Sequence, residues 1–266
     1  MLFRHSHSPV LHSNSRARRV SANCVGMQAP AAITQGEPIA FTRVKGILFD
    51  IDGTLCNSDP LHFKAFQELL VEHGYNGGKP IDEKFYRARI SGRHNPEIAA
   101  DLWPDRPEEW RTWFYQTKEK YYRDMAGSKI RPLEGLGRFM AWIQSRGLRS
   151  VAVTNAPRDN AEMMLKGLKL DNTFEALILG EECTRPKPFP DPYQDGLRIL
   201  GLEAEPSAGL VLEDSPSGIK AAVAAGISVV GLTTGQEAST LVAAGANLVV
   251  TDFDALMDII ENSEVQ

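Results

Sequence analysis

From Phe41 onward, short apolar runs alternate with helix-length segments, and that rhythm limits the possible folds more than any other feature of the chain. The runs VKGILFDI, LRSVAVT, ALILG, AGLVLED, ISVVGLT and NLVVT are rich in β-branched residues or leucine and bounded by Gly, Asp or Asn. Strands buried on both faces of a parallel sheet have this character. Between the runs, helices are expected over Leu136–Arg146, Pro157–Lys166, Pro192–Leu200 and Pro216–Ala225, followed by Gly147, Gly167, Gly201 and Gly226. Proline near a helix start and glycine just past its end are the usual punctuation. The repeated strand–helix–strand pattern predicts an α/β fold with a doubly wound parallel sheet.

One interval breaks the rhythm. After the first run and before Leu133 there is only helical material: Asp59–His73, with Asp59 as N-cap, then Asp82–Arg89, Asn95–Trp103 and the aromatic Pro107–Ala126. A crossover between parallel strands needs only about a dozen residues. The excess predicts an inserted all-α cap over residues 59–132, with a core built from 41–58 and 133–266. Such a cap would cover the carboxyl edge of the sheet, where open α/β sheets bind ligands. The run Trp103, Trp110, Trp113, Phe114 and Tyr121 is expected to form the core of this cap.

The polar groups that follow the strands would converge on that edge. They are Asp50 and Asp52, then Thr154 and Asn155, then Lys187 in RPKPFPDP, then Glu213 and Asp214. Oxygen donors such as Asp50, Asp214 and Glu213 suit a hard cation like Mg²⁺. Lys187 and Thr154 would supply positive charge and donors to phosphate oxygens. Asp50 could then attack phosphorus while Asp52 moves protons. Flanking Pro186 and Pro188 would stiffen the loop that aims Lys187.

In their order, DIDGT, VTN, PKP and LEDSPSGIKAA resemble the four motifs of the haloacid dehalogenase-like superfamily, and the helical insert resembles the cap of its β-phosphoglucomutase-like branch. More narrowly, GTLCNSDPLH, VTNAPRDNAEMM, ILGEEC and VLEDSPSGIKAAVAAG resemble the plant broad-range sugar-phosphate phosphatases of that branch. The resemblance implies Asp50 as nucleophile, Asp52 as general acid and base, and Thr154 and Lys187 on the phosphate. It also implies Mg²⁺ on Asp50, the Asp52 carbonyl and Asp214, with Glu213 as a further candidate ligand. His62 and Arg93 match positions that related mutases use on the sugar; the plainer reading makes them solvated or capping residues. Dehalogenases of this group lack an acid two residues after the nucleophile, so Asp52 favours phosphate-ester chemistry. The expected activity is a Mg²⁺-dependent phosphatase of small phosphorylated sugars working through an aspartyl-phosphate. A phosphosugar mutase and a non-catalytic sugar-phosphate-binding protein are the alternatives.

Other features exclude or leave open. With 29 basic and 34 acidic side chains the net charge is −5, which gives no electrostatic case for nucleic acid or an anionic membrane as partner. The tract AAVAAGISVVGL is too short to span a bilayer, which takes about 20 apolar residues. Three cysteines, Cys24, Cys56 and Cys183, form no CxxC pair and suit free thiols in a reducing compartment. GGKP has Pro80 where a nucleotide loop needs Ser or Thr, and GLGRFM lacks the third glycine of a dinucleotide fingerprint. A monomer is expected. Residues 1–40 are read as a leader outside the fold: before Glu37 they hold Arg4, Arg16, Arg18, Arg19, five serines and no acid. That composition suits an organelle transit peptide, which would place the protein in a plastid, or a disordered tail on a cytoplasmic protein.

Overall fold

A computed structural model describes residues 32–34 and 38–264. Its sheet has seven strands: β1 (Ala32–Thr34), β2 (Gly46–Phe49), β3 (Arg149–Thr154), β4 (Leu177–Leu179), β5 (Gly209–Glu213), β6 (Ser228–Leu232) and β7 (Leu248–Val250). Their order is β1-β7-β6-β5-β2-β3-β4, and the six from β2 to β7 run parallel. Each expected strand is present. Chain order reverses at β2, which lies between β5 and β3. A crevice therefore opens beyond its carboxyl end, where Asp50 stands.

β1 corrects the leader reading. Ala32, Ile33 and Thr34 pair antiparallel with Val250, Val249 and Leu248, so part of residues 1–40 belongs to the sheet. Three residues are too few to show a strand periodicity, yet they cover an edge of β7 that would otherwise present unpaired backbone groups. The transit-peptide reading and Cys24 lie outside the described residues.

Alternation along each strand sends side chains to two cores. Ile47, Phe49, Ala152, Leu210, Leu212 and Val230 face one side. They pack against α5 (Leu136–Ser145), α6 (Arg158–Leu168) and α10 (Phe253–Glu264) through Phe139, Met164 and Phe253. Leu48, Val151, Val153, Val211 and Val229 face the other, against α7 (Asp191–Leu200), α8 (Pro216–Ala224) and α9 (Ala238–Ala244). Helices on both faces make the sheet doubly wound. Phe49 is fully buried, with edge contacts to Phe139 at 5.9 Å and Phe174 at 5.5 Å, and so fixes the strand that ends in Asp50.

The cap comprises α1 (Asp59–Glu72), α2 (Glu83–Arg89), α3 (Asn95–Leu102) and α4 (Glu108–Ala126). It carries its own core, including Phe66, Leu70, Tyr86, Ile98 and Phe114, with Trp103, Trp110 and Tyr121 packed against it. Asp82 caps α2 by accepting from the Phe85 N–H at 2.7 Å. Asp59 is not the N-cap of α1. Ser58 holds that position, and the Asp59 carboxylate accepts instead from Tyr86 Oη at 2.9 Å and Ser91 Oγ at 3.0 Å, tying α1 to α2 and to the loop after it. Among the described residues, no helix is long and apolar enough to cross a membrane.

Candidate active site

Asp50 follows β2 directly and is buried with its Oδ1 accepting from Lys187 Nζ at 2.7 Å. Lys187, 3% exposed, also donates to the Val153 carbonyl and to Glu213 Oε1, both at 2.8 Å. Three donations leave the ammonium no freedom to swing. Burial alone would lower its pKa, but the Asp50 and Glu213 charges raise it, so the lysine stays charged.

The loop carrying Lys187 is held by Asn155. Its amide donates to the Lys187 carbonyl at 3.0 Å, and its Oδ1 accepts the Lys187 N–H at 3.1 Å. Asn155 therefore lines the cavity while its side-chain groups are spent on the lysine loop. Thr154 Oγ1 accepts from the Ala156 N–H at 3.0 Å, which curls the chain after β3 beside Asp50.

Glu213 and Asp214 are neighbours with different surroundings. Oε1 of Glu213 accepts from Lys187 and from Tyr193 Oη at 3.1 Å. Oε2 accepts from the Asp214 N–H at 3.0 Å, the Ser215 N–H at 2.9 Å and Ser215 Oγ at 3.0 Å. Five donors occupy this carboxylate. The carboxylate of Asp214 closes against Gly53, where a Cβ would come within 2.1 Å of Oδ2; the glycine adopts φ +78°, a left-handed turn that admits the approach.

Oxygens of Asp50, Glu213 and Asp214 lie within 4.8 Å of one another, all buried. Burial first pushes Asp50 up to about 8, opposed by Lys187 and aided by Glu213 and Asp52. Burial, and then the neighbouring charges of Asp50, Glu213, Asp59 and Asp52, push Asp214 well above its ordinary value. Asp50 Oδ2 is buried and has no hydrogen-bond partner among the described residues. Crowded, desolvated carboxylates with an orphaned oxygen fit a hard divalent cation, which would reverse those shifts. Of the three, Asp50 and Asp214 have ligand capacity to give, whereas Glu213 is already engaged.

Asp52 turns towards the cap. Its Oδ1 accepts from Ser58 Oγ at 2.7 Å and faces His62 Nε2 at 3.0 Å. His62 stacks on Tyr122 at 3.7 Å between ring centroids, and its Nδ1 lies 3.4 Å from Lys118 Nζ. Ser58, Tyr122 and Lys118 were not among the expected site residues: Ser58 precedes the first expected cap helix, and the other two lie within the aromatic segment Pro107–Ala126.

Asp50, Asp52, His62, Arg93, Thr154, Asn155, Lys187 and Asp214 all line one cavity of about 90 Å³ between cap and core. Arg93 reaches it, but its guanidinium donates to the Arg89 carbonyl at 2.7 Å and to Asp101 at 3.0 Å. The cap is seated on the core. Asn160 of α6 donates to Glu119 of α4 at 2.5 Å, and Arg123 donates to Asn160 at 2.8 Å. Of the described thiols, neither Cys56 nor Cys183 lines the cavity, and burial raises the pKa of both.

Residues 47–232 match the family model described as haloacid dehalogenase-like hydrolase. The phosphoglycolate phosphatase of Neisseria gonorrhoeae is 31% identical over 207 residues, covering 76% of this chain and 85% of that protein. The phosphorylated carbohydrates phosphatase of Thermotoga maritima is 26% identical over 189 residues, covering 69% and 82%. Among solved structures, CbbY from Rhodobacter sphaeroides in complex with xylulose bisphosphate superposes with a TM-score of 0.69 at 25% identity, covering 79% of this chain and 95% of that one.

Proposed function

This chain belongs to the haloacid dehalogenase-like hydrolases, and on that footing we propose that it is a Mg²⁺-dependent phosphatase acting on small phosphorylated sugars. Its relatives are named as phosphatases, one of them for phosphorylated carbohydrates. The observation that carries the reading is the placement of Asp50: one oxygen is fixed by Lys187 and the other is buried without a partner among the described residues, in the cavity between cap and core.

In this reading an Asp50 oxygen bonds to phosphorus as the bond from phosphorus to the sugar oxygen breaks. Asp52 gives its proton to the leaving oxygen. Water then attacks the aspartyl-phosphate, Asp52 takes the proton back, and inorganic phosphate departs with Asp50 restored. Thr154 can donate its hydroxyl to a phosphoryl oxygen, while Lys187, whose three N–H bonds go to Asp50, Val153 and Glu213, supplies positive charge beside the phosphoryl group. Asp50, the Asp52 carbonyl and Asp214 would hold Mg²⁺, whose charge offsets that of the carboxylates and phosphate. Ser58 and His62 hold the Asp52 carboxylate at the cavity wall, which supports giving it both proton steps.

A phosphate-release screen over phosphorylated metabolites, with Mg²⁺ and with a chelator, tests the proposal. Release from sugar phosphates that stops on chelation is expected. Release from none of them would refute it, and isomerised sugar phosphate formed in place of free phosphate when a sugar bisphosphate is added would make the chain a mutase.

A further inference from the structure

The loop between β6 and α9 belongs to none of the four sequence motifs, yet it closes on the turn after Asp52 and on Asp214. The Thr233 N–H donates to the Val250 carbonyl at 3.0 Å, which fixes the start of the loop to β7. Thr234 Oγ1 then donates to the Gly53 carbonyl at 2.5 Å. Gly235 is buried, and a Cβ on it would come within 2.4 Å of Asp59 Oδ2 and 3.2 Å of Asp214 Oδ2. Two glycines from separate loops, Gly53 and Gly235, thus approach the same oxygen of Asp214.

What these contacts hold is the turn at Gly53. Its N–H donates to the Cys56 carbonyl at 2.9 Å and its carbonyl accepts from Thr234, so the peptide on each side of the residue is fixed. The first of those peptides contains the Asp52 carbonyl, and because the unit is planar and trans, the Gly53 N–H sets the direction of that carbonyl. Gly53 adopts φ +78° and, without a Cβ, has more backbone freedom than any other residue, so a tether from outside the turn has much to restrain. The rest of the loop faces the cap instead. Gln236 Nε2 donates to the Arg87 carbonyl at 3.4 Å, and Glu237 pairs with the Arg87 guanidinium at 3.7 Å.

We propose that Thr234 is a positioning residue for the divalent cation: its hydroxyl holds the Asp52–Gly53 turn against Asp214, so that the Asp52 carbonyl and the Asp214 carboxylate keep the spacing one small ion requires. This rests on the Mg²⁺-dependent reading above. Mg²⁺ demands near-octahedral geometry with ligands at about 2.0–2.1 Å, so a small drift of the turn is felt as lost affinity. Thr234 does not line the cavity and acts only through Gly53.

The test titrates Mg²⁺ calorimetrically, without substrate, into the wild type, Thr234→Ala and Thr234→Ser, so that the readout does not depend on turnover. Thr234→Ala is expected to bind Mg²⁺ about tenfold more weakly, the loss usual when an outer-shell partner is removed. Thr234→Ser keeps the donor and should stay within about twofold of the wild type. At saturating Mg²⁺ the KM for a sugar phosphate should stay within about twofold in all three, since the cap contacts of Gln236 and Glu237 are kept. Thr234→Val removes the donor while keeping the bulk, and provides the same comparison if Thr234→Ala does not fold. Unchanged Mg²⁺ affinity in the variant without the hydroxyl, or an equal loss in Thr234→Ser, would overturn the inference. So would a KM that rises as far as the affinity falls, because the loop would then be acting on the cap. A wild type that binds no Mg²⁺ would instead defeat the underlying reading.

Discussion

Glu213 is the last residue of β5, Asp214 follows it, and both are buried, yet their partners divide them into separate tasks. Glu213 anchors Lys187 and the turn into α8, while Asp214 is open to a cation. In Glu213→Gln, the KM for sugar phosphate is expected to rise about 10- to 100-fold, as when an outer-shell partner is lost. The Mg²⁺ concentration that gives half-maximal rate should change little, in contrast to Asp214→Asn, where it should rise steeply. Steady-state kinetics at varied Mg²⁺ checks this, and the opposite pattern would make Glu213 a ligand. The sequence shows two acids in a row and cannot separate them, because the separation comes from Tyr193 and Lys187, which arrive from other loops. Asp50 and Asp52 were legible because strand-end spacing sets them apart before any tertiary contact forms. Asp59 misled for the opposite reason: an acid before Pro60 resembles an N-cap, but Tyr86 and Ser91 claim it across the cap.

At the scale of elements, the closed cap rests on close approach at the loop between α2 and α3. Gly92 has φ +71°, and a Cβ there would lie 2.5 Å from the Ser215 Cβ on the loop after β5. Gly92→Ala therefore combines a backbone penalty of about 1–2 kcal/mol with a steric clash between cap and core. The expected result is a fall of about tenfold in kcat/KM with the melting temperature nearly unchanged, since the clash is relieved by lifting the cap. An unaltered kcat/KM would show that this contact does not seat it. The elements themselves were largely readable. Strands buried on both faces appear as continuous apolar runs, and α7 and α8 have Pro near the start and Gly past the end; α6 instead runs through Gly167 to Leu168 and ends at Lys169, which takes the left-handed conformation at φ +61°. α9 is short and Ala-rich, α10 lacks such punctuation, and β1 is three residues long, so none of these carried a local signal.

For the whole molecule, the link between its two parts is also an electrostatic one. Glu119 has a pKa of about 2 in the fold, against 4.5 as the ordinary value. The unfolded chain thus binds the proton first as pH falls, so the stability from this carboxylate is complete above about pH 4.5 and is lost between there and about pH 2. Urea unfolding of the wild type should weaken more steeply across that window than unfolding of Glu119→Gln; identical slopes would show the carboxylate to be uncoupled from folding. The order of strands and the seating of the cap were not legible, because both depend on contacts between residues far apart in the chain. Their outcome is that Asp50 stands at the point where strand order reverses, beneath the cap. The most direct test of its role is the rate of phosphate release from a sugar phosphate by Asp50→Asn. A loss of about 10⁴-fold or more is expected for removal of the attacking group, and release at the wild-type rate would contradict nucleophilic attack by Asp50.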